Sequence, residues 1–459
     1  MVRRIAMLFN AAAVRLVVCM LGATPCTERS MMQRLARRWI LALALGVLLL
    51  EFLSFLAVHA LGRIAPDRRL DRFVEAQLDG FDDAAVRRHL ETAYDAELGW
   101  DNPAGTRETD TNVAGRRWTA TYAAGGQRVS CMDAAAAGVP AAAPLAAAYG
   151  DSTTHGDEVD DGEAWPCLLE RALGGRVENH GVGGFGVDQA LLKLRRHWAS
   201  GRVAPVTILG IYSDDAAQLL NRYRPFLVPG TRTKLAFKPA HREREGLIVA
   251  LPNPWSPDVR TVAGVRALAI GVAATDYWAE RSGRVLPQFP YVLQAWKAGL
   301  AYVRVRAAGS DAARSAWDIP EARAVLLQLL RDFASDARRV GTRPVLLFIP
   351  SVQDWSRGRL PADYAGFLQE DLARAGIELT VIDVASREFD ERRFNVSPYQ
   401  GHPSAAGNEV IARVLLERWP GPMAGQAGVR QRQGAPLEDS RRSSVLPRAP
   451  ATSRLYRPL

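Results

Sequence analysis

The longest apolar run in the chain extends from Trp39 to Leu61 (WILALALGVLLLEFLSFLAVHAL). Its 23 residues suffice for a helix, rising about 1.5 Å per residue, to cross about 30 Å of hydrocarbon. Glu51 near its centre is costly in lipid and calls for protonation, a partner helix or a headgroup-level frame. Arginines flank both ends: Arg29, Arg34, Arg37 and Arg38 before, Arg63, Arg68, Arg69 and Arg72 after. Only Arg3, Arg4 and Arg15 tip the balance toward a cytoplasmic amino end. The expectation is a single-pass transmembrane helix over 39–62, preceded by a basic segment 1–38, with the remainder outside the cytoplasm.

Beyond a lead-in region at 63–142, strand-like and helix-like patterns alternate. Ala143–Tyr149 is a short apolar run, Glu163–Leu173 is amphipathic, Arg176–His180 reads as a strand and Val187–Trp198 as a helix. Ala204–Tyr212 is almost continuously apolar, as a strand covered on both faces should be. Residues 224–318 break the rhythm with Pro-rich loops. It resumes with a helix at Glu321–Val340, a strand at Arg343–Ser351, a helix at Ala362–Ala375, a strand at Ile377–Val384 and a helix at Ser404–Trp419. Helices between strands imply a parallel, flavodoxin-like sheet covered on both faces, a three-layer α/β/α domain over 143–420 with an insertion at 224–318. The functional site then belongs at the carboxyl ends of the strands. The tail 421–459, rich in Arg, Pro, Gly, Ser and Gln, lacks the apolar content to fold.

The net charge of +9 suggests nucleic acid until it is located. Residues 1–38 carry +6 and 421–459 carry +5, so the 382 residues between them are near neutral. No nucleic-acid partner is expected. Cys19, Cys26, Cys131 and Cys167 are too few and too scattered for a disulfide framework. Without a C-x-x-C or paired-histidine spacing, neither a metal nor another cofactor is expected.

The strand ends carry the candidate chemistry. Ala143–Tyr149 runs into Gly150-Asp151-Ser152-Thr153-Thr154, which puts a serine at a strand tip with its own N–H available to an oxyanion. The next strand ends in Asn179-His180-Gly181-Val182-Gly183-Gly184-Phe185-Gly186, bringing bare backbone N–H groups to the same edge. Gly401-His402-Pro403-Ser404 sets a histidine before the last helix. Taken singly, a Gly-Asp-Ser turn is an ordinary helix cap; the order of the three is the signal.

In that order the sequence resembles the SGNH (GDSL-type) hydrolases, and especially their membrane-anchored bacterial branch. The resemblance is carried by YGDSTTHGDEV from Tyr149, NHGVGGFGVDQ from Asn179 and GHPSAAGNEVIA from Gly401, with ELGW from Glu97, NRYRPF from Asn221 and LPNP from Leu251 as lesser elements. It implies an ester hydrolase or acyl transferase. Ser152 would be the nucleophile and His402 its base, with the N–H groups of Ser152 and Gly184 holding the oxyanion; Asp151 and Asn179 would support them. Two positions depart from the family. Where it has an oxyanion Asn after the third strand, this chain has Ser213-Asp214-Asp215, leaving Asn221 or a water as substitute. Where it has an acid three residues before the histidine stands Tyr399, so His402 is oriented either by a carbonyl, as a dyad, or by a distant acid such as Asp383 or Asp390.

Gly181–Gly186 also fits G-x-G-x-x-G, yet the next strand-end acid, Asp214, lies 28 residues beyond Gly186 and in the wrong unit for a dinucleotide fold. His155 is expected to line the loop, and Asp157 and Glu158 to be solvated or helix-terminal charges. The expected substrate is a small acyl ester, such as acetyl on an envelope or exported carbohydrate, with the insertion as lid or acceptor wall. The contrasting class is a non-catalytic carbohydrate-binding or assembly protein on the same fold.

Overall fold

The computed structural model describes residues 26–129, 131, 143–231, 233–308, 319–351, 370–377, 379–384, 390–398 and 400–421. The tail 422–459, Tyr399 and most of the expected helix at Ala362–Ala375 lie outside them. The chain divides into two units: residues 1–73 with 283–307, and residues 74–282 with 308–459. The insertion at 224–318 is therefore shared between the two.

In the smaller unit, helix α1 (Cys26–Ile64) contains the apolar run. It is long and apolar enough over Met32–Ile64 to cross a membrane, and Leu43, Leu45, Leu48 and Leu49 are exposed along it. A second helix of this unit, Tyr291–Ala308, comes from the insertion.

The larger unit is built on five parallel strands: β1 (Ala146–Tyr149), β2 (Val177–Asn179), β3 (Val206–Tyr212), β4 (Arg343–Ile349) and β5 (Thr380–Asp383), ordered β5-β4-β3-β1-β2. β1 is buried at every position, as its run of small apolar residues requires for a strand covered on both faces. Helices α2 (Ser152–His155) and α3 (Trp165–Leu173) follow β1, α4 (Val187–Ala199) follows β2, α6 (Pro320–Val340) precedes β4 and α7 (Ala405–Glu417) closes the fold; α5 denotes Tyr291–Ala308. One apolar layer joins Leu191 and Leu194 of α4 and Leu326 and Phe333 of α6 to Leu209 and Ile211 of β3. The other packs Trp165 and Leu169 of α3 and Ile411 and Leu415 of α7 against Ile208 and Leu347. The structure is the expected three-layer α/β/α arrangement.

The part of the lead-in within this unit is fastened to α4. Three residues on one face of that helix hold it: Gln189 Nε2 donates to Leu98 O (2.7 Å), Lys193 Nζ to Asp101 (2.6 Å) and Arg196 Nη1 to Asp95 (2.7 Å). The cysteines are too few for a disulfide framework, yet two of them, Cys131 and Cys167, form a single disulfide. It ties the lead-in to α3, a pairing that depends on proximity across 36 positions.

Candidate active site

β1 ends at Tyr149, and Gly150 follows where a Cβ would meet Thr154 and the carbonyl of Gly210, so only glycine lets the chain turn there. Asp151 then caps α2: its buried carboxylate accepts from Thr153 N (2.9 Å), Thr153 Oγ1 (2.5 Å) and, at 3.5 Å, the Ser152 hydroxyl. Burial raises the Asp151 carboxyl above its ordinary value, against the pull of the Thr153 bonds and of His402. Ser152 stands at the first position of α2, where the backbone N–H has no partner within the helix.

His402 arrives on the hairpin β6 (Asn395–Ser397) and β7 (Gln400–Pro403), and β7 packs against α2. The Asn408 side chain secures this approach, donating to Pro403 O (3.0 Å) while accepting from Trp165 N (2.9 Å). The acid at His402 is Glu158. Its Oε2 accepts from the His402 backbone N–H (2.7 Å) and lies 3.1 Å from Nδ1. Asp157 Oδ2 is 4.0 Å from Nε2 on the other side of the ring. Burial disfavours the imidazolium, but the Glu158 hydrogen bond and the charges of Asp157, Glu158 and Asp151 outweigh it and raise His402 above the ordinary histidine value. The same pairing holds Glu158 below its usual range despite its burial.

The expectation that Asp157 and Glu158 are solvated loop charges is thus corrected. Gly156 and Glu158 both take positive φ (86° and 70°), folding the loop after α2 back toward the hairpin. Buried Arg128 secures the fold, donating to the carbonyls of His155 (2.9 Å), Gly156 (2.6 Å) and Val159 (2.7 Å). His155 is buried between Tyr122 OH (3.1 Å) and Asp157 Oδ1 (2.5 Å), so it lines the loop as expected.

The remaining candidates separate. Asp390 is exposed and caps the short helix Glu391–Phe394, and Asp383 is buried at the end of β5. Among the described residues, the acids at the His402 ring are Asp157 and Glu158, both on the loop after α2. Asn221 donates to Tyr223 O (2.9 Å) and Asp276 Oδ2 (2.9 Å), so its amide is committed to the insertion and not to an oxyanion. Asp215 accepts from Tyr212 N (3.0 Å) and Gln218 Nε2 (3.0 Å), and the Asp214 side chain lies outside the described residues. Asn179 ties Gly181 N (3.0 Å) to His155 O (3.1 Å), joining the glycine loop to the serine loop.

Gly184 has φ +78°, a region that disfavours a side chain. Trp100 Nε1 donates to Gly183 O (3.0 Å), and Arg224 Nη1 donates to Gly184 O (3.0 Å) and Gln218 Oε1 (2.6 Å). The first bond fixes the peptide plane that carries the Gly184 N–H. Sequence reasoning assigned no role to Glu158, Arg128, Trp100 or Arg224, although the YGDSTTHGDEV, ELGW and NRYRPF stretches contain Glu158, Trp100 and Arg224. A cleft of about 510 Å³ reaches this edge at His155, Asp157 and Gly183, walled by Trp100, Trp118 and Tyr122 and by insertion residues Thr233–Ala236.

Ser152 Oγ and His402 Nε2 are not hydrogen-bonded to each other. Contacts between nucleophile and base commonly close only with substrate in place. Serine, imidazole and carboxylate on adjoining segments, with the serine's own N–H at the start of α2, form a set suited to acyl transfer.

No family model and no curated protein matches the sequence. Among solved structures the chain is similar to two bacterial proteins described as lipolytic and of the G-D-S-L family. The one from Desulfitobacterium hafniense DCB-2 is 11% identical with a TM-score of 0.29, over 60% of this chain and 98% of that one. The one from Veillonella parvula DSM 2008 is 13% identical with a TM-score of 0.28, over 60% and 97%.

Proposed function

We propose that the protein is a membrane-anchored serine esterase or acyltransferase of SGNH type, with Ser152, His402 and Glu158 as its triad. Glu158 bonded to the backbone N–H and ring Nδ1 of His402, on a hairpin packed against the serine-bearing helix, is the observation that carries the reading. In the first step Ser152 Oγ attacks the ester carbonyl carbon while His402 Nε2 takes the hydroxyl proton. Glu158 stabilises the resulting imidazolium through Nδ1–H. The N–H groups of Ser152 and Gly184 receive the oxyanion, each such donor contributing about 3 kcal/mol to the transition state. Collapse breaks the ester C–O bond, and His402 returns its proton to the departing alcohol. Water or an acceptor hydroxyl then attacks the acyl-serine, with His402 again as base.

Indole and phenol walls beside Asp101, Glu108 and Asp157 suit an acylated glycan, whose C–H faces stack on rings and whose hydroxyls donate to carboxylates. An extracytoplasmic location is supported by the Cys131–Cys167 disulfide, since disulfides persist in oxidising compartments. The test is covalent labelling with a fluorophosphonate. Stoichiometric modification of the intact protein, abolished in Ser152→Ala, supports the enzyme. No labelling of well-folded protein would turn the assignment to a glycan-binding protein on the same scaffold.

A further inference from the structure

Glu51 is the only charged residue between Trp39 and Leu61, set in the middle of α1, and it has a partner. Its Oε2 accepts from the backbone N–H groups of Tyr291 (2.7 Å) and Val292 (3.4 Å), at the amino end of α5. The Tyr291 ring lies edge-on to Phe55 (5.1 Å) and 5.9 Å from His59. Glu51, Phe55 and His59 are four residues apart in turn, so one stripe of α1 receives α5.

The chain reaches this point from the far end of α1. Val285 pairs with the segment just past the helix, donating to Arg68 O (2.9 Å) and accepting from Leu70 N (2.9 Å). Six residues later it is at Glu51, and α5 then climbs back until Ala301 touches the position of Gly283. From Glu51 to Ile64, α1 rises about 20 Å at 1.5 Å per residue. The segment is thus a hairpin whose tip lies that far below the end of the anchor.

Its outer face is mainly apolar, with exposed Lys297 at its margin, where a long stem lets the ammonium reach toward the membrane surface. Leu293 (53% exposed), Trp296 (69%), Leu300 and Val303 (61%) follow a three-four-three spacing, and Phe289 (74%) stands at the tip. Gln294 and Ala301, on the opposite side of α5, are buried. Such a stripe continues the exposed apolar surface of α1. The amino end of α5 is provided for, because the carboxylate occupies the helix terminus where negative charge is favoured and N–H groups lack partners. Non-helical backbone at membrane depth is tolerated where protein covers it.

We infer that residues 284–303 form a re-entrant hairpin embedded in the leaflet at the carboxyl end of α1, with Phe289, Leu293, Trp296, Leu300 and Val303 against lipid acyl chains and Glu51 as the cap of α5. This rests on reading α1 as the membrane anchor. The test uses the full chain with Cys19 and Cys26 replaced by serine, in lipid nanodiscs whose two faces are both open to water. Single cysteines at Leu293, Trp296, Leu45 (within α1) and Leu247 (exposed, in the larger unit) are reacted with a charged maleimide. Leu293→Cys and Trp296→Cys are expected to react at least ~10-fold more slowly than Leu247→Cys, as is Leu45→Cys, with the difference lost in SDS. Rapid reaction at Leu293→Cys and Trp296→Cys with Leu45→Cys protected overturns the hairpin and leaves the anchor standing. Rapid reaction at Leu45→Cys overturns both.

Discussion

Glu158 is one of only two non-glycine residues with positive φ among the described residues, a conformation that costs about 1–2 kcal/mol for an L-residue. The turn delivers one carboxylate oxygen to the backbone N–H and ring Nδ1 of His402, and that charge helps hold the imidazole above its ordinary value. A base must be neutral to act, so activity should fall as pH drops through the raised His402 pKa, at a higher pH than an unperturbed histidine would set. Glu158→Gln keeps an acceptor but removes the charge, so His402 loses protonation support and the acidic limb of kcat/KM should move to lower pH. Activity on the plateau should fall by about 10²–10⁴-fold, the span of general acid–base contributions. An unmoved limb in a folded Glu158→Gln protein would assign the orientation of His402 to another group.

At the scale of elements, α4 is a ruler for the lead-in. Residues 189, 193 and 196 grip Leu98, Asp101 and Asp95, and the segment between carries Trp100 to the carbonyl of Gly183. Trp100 is a positioning residue, since it acts on the oxyanion site through the Gly183–Gly184 peptide. Trp100→Phe retains a ring against Phe185 and removes only the indole N–H. The expected result is a kcat lower by about 10²-fold, approaching the loss of one oxyanion donor, with KM changed by less than about 3-fold. Equal losses in kcat and thermal stability, or a change confined to KM, would mean that Trp100 only packs.

For the molecule as a whole, the disulfide closes a loop that contains β1, the serine and the Glu158 turn. Closing a loop of this length removes about 4 kcal/mol of unfolded-state entropy in the chain-entropy account. Cys131→Ser is therefore expected to lower Tm by roughly 10 °C in the larger unit, measured by thermal unfolding in detergent. The thiol state of Cys131 and Cys167 in cells also reports the compartment: blocked thiols agree with an extracytoplasmic unit, and free thiols in the anchored protein would place it in the cytoplasm.

Much of this was legible in local pattern. Near-continuous apolar runs at Ala204–Tyr212 and Arg343–Ser351 contain β3 and β4, because a strand covered on both faces has no polar side to show. Ser152, Gly184 and His402 could be singled out because each follows a strand signal, and parallel strands bring their carboxyl ends to one edge. Tertiary structure decided the partners. Glu158 reads as one of two adjacent loop acids until Gly156 and its own backbone reverse the chain. Asp383 and Asp390 were both candidates to orient His402, and Asn221 looked free until Asp276 claimed it. The Cys131–Cys167 bond and the meeting of Glu51 with Tyr291 join positions 36 and 240 residues apart. Periodicity records which face of an element is buried; which group a carboxylate, an amide or a thiol meets there is set by how distant elements pack.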